Sequence, residues 1–236
     1  MKPASIARFV GAGFGLTLGF AGAYSKVFTP WHRNWGATGE EQDRRMPGDP
    51  AVRTPYLTTR AITVNAPPDA IYPWLVQMGA GRGGLYSWDF LDRIFGFIDS
   101  PSSKEILPQF QDLQPGDEIP LGRGANFPVK DLLRDKFLLL AGEPEPGMTW
   151  TWSTALYEEP DGTTRLVTRN TGDWGKGWRA RLLVGGMDLA AFIMVHRWLH
   201  VLKQRAEHLQ HERDLAERTF ELVAEELAPL DVETAV

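Results

Sequence analysis

The chain has 236 residues, 43% of them hydrophobic and 23% charged, enough to bury one good-sized core. A net charge of -5 leaves no broad basic surface for a run of phosphates, so nucleic acid is not an expected partner. With no cysteine, disulfide frameworks, thiolate nucleophiles and sulfur-ligated zinc are excluded.

From Phe9 to Tyr24 no residue is charged, while Lys2 and Arg8 precede the stretch and Lys26, His32 and Arg33 follow it. A spanning helix wants about 17–25 apolar residues, and this run sits at the lower edge. Gly11, Gly15 and Gly19 recur every four residues, a small-residue groove suited to packing in lipid. Ala21-Gly22-Ala23 resembles a signal cleavage site after a basic and then an apolar region. The expectation is a single-pass anchor over residues 1–28, with cleavage and secretion, or a buried soluble helix, as alternatives. Lys26, Arg33, Arg44 and Arg45 after the segment favour a cytoplasmic domain.

Residues 29–57 are polar, punctuated by Pro and Gly, and aperiodic; they read as a linker or arm that packs through Trp31 and Trp35. Thr58 to Val64 alternates, setting Thr59, Ala61 and Thr63 against Arg60, Ile62 and Val64, and predicts a strand. Pro67-Pro68-Asp69 opens a helix carrying Ile71, Trp74, Leu75 and Met78, with Pro73 as an objection. A second helix is predicted over Tyr86 to Phe97. Short strands follow at Glu118–Leu121, Phe127–Leu133 and Lys136–Ala141. Met148–Tyr157 and Thr163–Thr171, joined by Glu159-Pro160-Asp161-Gly162, read as a hairpin. Asp188 to Leu227 lacks Pro and Gly and predicts one long helix, or two with a kink. Its apolar first half should lie across a sheet, and the charged remainder, tail residues 211–236 included, should be solvated or meet a partner. This order predicts an α+β fold with an antiparallel sheet covered on one face.

Trp35-Gly36-Ala37-Thr38, Pro47-Gly48-Asp49, Pro73 to Gly79, Gly81 to Ser87, Ile106-Leu107-Pro108 and Leu199 to Glu207 carry a resemblance. The chain from about Trp35 to Glu207 resembles the START/Bet v 1-like (SRPBCC) superfamily, in particular bacterial polyketide-cyclase/dehydrase-like proteins. The resemblance implies a helix-grip domain over residues 58–210, its sheet wrapped around the closing helix. It does not specify function, since the superfamily includes lipid carriers, hormone receptors, cyclases and oxygenase subunits.

Gly79-Ala80-Gly81-Arg82-Gly83-Gly84 fits the dinucleotide pattern, but the segment before it reads as a helix and Asp99 follows a helix, so a tight turn or cavity lip is expected. Arg82 and Tyr86 are then polar contacts of that lip. His196 and His200 share a helix face, with His208 and His211 further on; two imidazoles without a third ligand predict no metal site. Trp150 and Trp152 point to one face of their strand and would meet Met194 and Trp198, lining a cavity or filling a core. Trp88 completes the cavity candidates. Arg165 and Arg169 are expected outward and solvated, while Asp89, Glu105 and His196 are the ionisable groups nearest the mouth. No catalytic residue and no cofactor is expected. The function expected is binding or carriage of an apolar small molecule, lipid or polyketide-like, near the membrane. The alternatives are a cyclase/dehydratase-type enzyme and a protein-interaction module acting through the tail.

Overall fold

In a computed structural model the described residues are 24–50, 54–122, 126–143, 149–173 and 178–227. Two short helices, α1 (Thr29–Arg33) and α2 (Gly39–Asp43), precede strand β1 (Tyr56–Val64). Helices α3 (Pro68–Val76) and α4 (Asp89–Ile94) follow. Then come β2 (Glu118–Pro120), β3 (Asn126–Leu133), β4 (Phe137–Gly142), β5 (Thr149–Glu158), β6 (Thr164–Asp173) and the closing helix α5 (Trp178–Leu227). The strands form one antiparallel sheet in the order β1-β6-β5-β4-β3-β2.

Period-two alternation divides the side chains between the two faces of this sheet. Ile62, Val64, Leu138, Leu140, Leu156 and Leu166 face the main core, where α5 supplies Trp198, Leu199, Leu202 and Ala206. Helix α3 closes the same core. Pro73 lies inside it and removes one backbone donor, at a cost of about 3 kcal/mol. Burial of Ile71, Leu75 and Val76, at about 1.5–3 kcal/mol each, outweighs that loss. The helix predicted over Tyr86 to Phe97 is shorter than its pattern suggests: Tyr86 (φ 54) and Gly96 (φ 71) take left-handed conformations at either side of α4.

The outer face is not open. Residues 36–49 lie over it, where Met46 and Ala37 pack on Ala61, Ala155 and Val167. Thr38 caps α2: its hydroxyl accepts from the Glu41 N–H while the Glu41 carboxylate accepts from the Thr38 N–H. Gly36 (φ 73) crosses so close to β1 that a Cβ there would stand 2.1 Å from the Ala61 carbonyl oxygen. Arg165 and Arg169 do point outward, yet the arm covers them. Arg165 Nε pairs with Glu41 at 2.6 Å and Arg169 Nη1 with Asp49 at 2.6 Å. The remaining Arg169 N–H groups meet Thr59 Oγ1 and the carbonyls of Glu41, Gln42 and Arg44, so the expected solvated pair is instead a clamp in which Arg169 is buried and Arg165 partly so.

The closing helix is a single helix of 50 residues that starts ten residues before the predicted Asp188. Gly185 and Gly186 lie within it, at roughly 1 kcal/mol each relative to alanine. The expected single-pass membrane placement is corrected: among the described residues no helix is long and apolar enough to cross a membrane. The apolar run from Phe9 lies, up to Ala23, outside the described residues.

Candidate ligand cavity

Between the sheet and α5 lies a cavity of about 550 Å³, within the size range of small-molecule sites. On the helix side Val184, Asp188, Ala191, Val195 and Trp198 recur at alternating steps of four and three, which sets them on one face. The sheet contributes Tyr56 from β1, Phe127 from β3, Gly142 from β4, Trp150 and Trp152 from β5 and Asn170 from β6. Two glycines help keep the space open. Gly172 stands between Tyr56 and Trp150 in the ladder and offers no side chain to fill it, and a Cβ on Gly142 would meet only Pro128, at 3.6 Å.

Aromatic packing fixes the walls. Phe127 stacks on Trp150 with centroids 5.0 Å apart and meets Trp152 edge-on at 5.7 Å, and Trp152 lies 5.3 Å from Trp198. The Trp152 indole N–H donates to Thr168 Oγ1 at 2.8 Å, which holds that ring in one orientation. The Trp198 indole N–H is buried without a hydrogen-bond partner among the described residues.

Polar groups gather at the Asp188 end. Tyr56 Oη donates to Asp188 Oδ1 at 3.1 Å, and Arg33 Nε donates to Asp188 Oδ2 at 2.7 Å. Arg60 Nη2 stands 3.7 Å and His32 Nε2 3.9 Å from the same carboxylate. Arg60 also donates to the His32 carbonyl, which ties β1 to α1. Burial, with the Asp188 charge beside it, pushes the Tyr56 phenol up to about 12, so it stays protonated at neutral pH. Burial likewise lowers His32 below its ordinary value; Asp188 opposes the shift and the two guanidinium groups add to it.

Trp150, Trp152, Met194 and Trp198 line the cavity. Arg82, Tyr86 and Trp88 do not. The Arg82 guanidinium turns back onto the Val76 and Met78 carbonyls and covers the Phe110 ring at 4.5 Å, bracing the glycine turn. Tyr86 is fully buried, its hydroxyl accepting from the Gln77 amide at 2.7 Å. Trp88 is exposed and lies under the Arg197 guanidinium at 5.0 Å. The turn itself closes by two hydrogen bonds between Gly79 and Gly84, with α3 immediately before it. Asp89 binds Ser102, the Glu105 side chain is exposed, and His196 packs between Trp35 and His200 at 4.3 and 4.4 Å. Sequence reasoning missed Tyr56 and Asp188; the signal for Asp188 lay in the helical stripe that runs back from Trp198 through Ala191, and that for Tyr56 in the alternation of β1 continued two residues upstream.

A six-stranded antiparallel sheet laid on a long closing helix around a cavity defines an α+β, helix-grip-like protein. No family model and no curated protein matches the chain. Among solved structures it is similar to hypothetical protein jhp0584 from Helicobacter pylori, at 14% identity and a TM-score of 0.41, covering 69% of this chain and 99% of that one. MLL2253 from Mesorhizobium loti gives 15% and 0.37 over 65% and 98%, and CalU16 from Micromonospora echinospora 16% and 0.32 over 66% and 86%. At these scores the likenesses add nothing to the assignment, which stands on the sheet and helix themselves.

Proposed function

We propose that the chain binds and carries an apolar small molecule, of lipid or polyketide-like character, a function that the resemblance to the START/Bet v 1-like superfamily is compatible with but does not specify. The observation that carries this reading is the cavity of about 550 Å³ walled by Phe127, Trp150, Trp152, Met194 and Trp198. Apolar walls left facing a half-open pocket forgo the contacts that packing to core density would give them. An apolar occupant restores those contacts, and large rings present flat surfaces to it. The test is native mass spectrometry of the full chain purified from its natural host. A stoichiometric organic molecule is expected, and bare protein under gentle conditions would sink the reading.

One observation favours a second reading, acid–base conversion of the bound molecule: the Asp188 carboxylate opens onto the same cavity, hydrogen-bonded to Tyr56. Under that reading the molecule recovered from the Asp188→Asn variant differs chemically from the one recovered from the unaltered chain. Identical molecules in both exclude it.

A further inference from the structure

The cavity has a chemically distinct pole, and its polarity is one-sided. Tyr56 and Asp188 both line it. The Tyr56 proton is already committed to Asp188 Oδ1, so the phenol oxygen offers the cavity only its lone pairs. The Asp188 carboxylate, an acceptor by nature, is held from behind by Arg33 and flanked by Arg60. From Tyr56 and Asp188 a molecule arriving from the cavity therefore meets acceptors, while the Asn170 amide on the same lining can donate or accept.

Charge narrows the choice further. Arg33 and Arg60 carry two positive charges against the one on Asp188, so a cationic head would enter an environment that already has cation to spare. An anionic head would have to approach the Asp188 carboxylate, which lines the cavity while Arg33 holds it from behind. A neutral donor meets neither penalty. It also gains a hydrogen bond to a charged acceptor in an apolar surround, stronger than one between neutral groups.

Resting on the reading of the cavity as a ligand site, we propose that Asp188 and Tyr56 form an anchoring pole that selects apolar molecules bearing one neutral hydrogen-bond donor, a hydroxyl. Helix geometry sets the reach. Asp188 and Trp198 are ten residues apart on α5 and both line the cavity, a span of about 15 Å at the helical rise of 1.5 Å per residue. The hydroxyl sits at the Asp188 end, and the apolar body runs along Ala191 and Val195 towards Trp198 and Trp152.

The test is isothermal titration of the full chain with four naphthalenes that share one ring system: 2-naphthol, 2-methoxynaphthalene, 2-naphthoate and 2-naphthylmethylammonium. 2-Naphthol is expected to bind roughly tenfold or more tightly than its methyl ether, the size of one hydrogen bond to a charged group, with both ions weaker still. In Asp188→Asn and in Tyr56→Phe the naphthol should fall towards the ether, while the ether itself holds its affinity. Because the comparison within the unaltered chain needs no variant to fold, it stands alone. Equal binding of naphthol and ether, or tighter binding of either ion, overturns the pole and leaves the cavity reading intact. If no naphthalene binds, the cavity reading falls and the pole with it.

Discussion

His32 is a buried imidazole whose two ring nitrogens have no hydrogen-bond partner among the described residues. Desolvation holds its folded pKa below the ordinary 6.5, so the folded state keeps it neutral while the unfolded chain takes up a proton. The stability it contributes is complete above that ordinary value and is lost as the pH falls through it towards the folded one. His32→Phe, set among Phe28 and Phe192, should flatten that part of the pH dependence of Tm, leaving a share from His196, whose pKa burial also lowers. An unchanged slope would show that the imidazole is hydrated in solution. Arg169 poses the opposite case, since its guanidinium is fully paired. Arg169→Ala strands Asp49 and three arm carbonyls and should cost about 3–5 kcal/mol in denaturant unfolding. A loss under about 1 kcal/mol would mean that the clamp is solvated and the arm loosely held. At this scale sequence reading succeeded where the signal was local. Alternation alone put Trp150 and Trp152 on one face, and helical spacing brought Met194 and Trp198 opposite. It failed for Arg165 and Arg169 because their partners, Glu41 and Asp49, lie more than a hundred residues away in a segment without periodicity.

Helix α5 combines two elements in one. From Trp198 to Ala206 its apolar residues are buried against the sheet and α3, and beyond Glu212 Leu215, Phe220, Leu222 and Val223 are exposed. In that outer half Arg213 reaches back to Asp69 at 2.8 Å, an exposed pair worth about 1 kcal/mol or less. Removing residues 211–236 should therefore leave the domain folded with Tm within a few degrees of the full chain, as scanning calorimetry would record. A collapse of cooperativity would show that the outer helix is part of the core. The division at mid-helix was legible from the fading of the apolar stripe. The start of the helix was not, because Gly185-Gly186 reads as a break in sequence while α5 runs straight through it. That error hid the pole: with the helix begun at Asp188, the residue looks like a cap, not the second position of a stripe that opens with Val184. Strand β1 begins two residues earlier than its alternation suggested, which hid Tyr56 in the same way.

On the scale of the whole molecule, the sheet is covered twice. The inner face carries the cavity and α5, and the outer face carries the arm, fastened by Arg165 and Arg169. The two covers meet at the polar pole, where Arg33 and His32 of α1 reach Asp188 of α5 next to Tyr56 of β1. The arm is thus structural on one face and a supplier of cavity electrostatics at its edge, a role that no composition pattern in residues 29–57 announces.

The central claim is that the space between sheet and helix is built for an occupant. Ala191 faces that space from the middle of the helical stripe, and a phenyl ring there would project into it and obstruct an occupant lying along the helix. Native mass spectrometry of the full chain and of Ala191→Phe, purified side by side from the natural host, tests it directly. The account predicts one organic molecule per chain in the unaltered protein and none in the variant, with both folded. Bare protein in both, or equal occupancy in both, would contradict it.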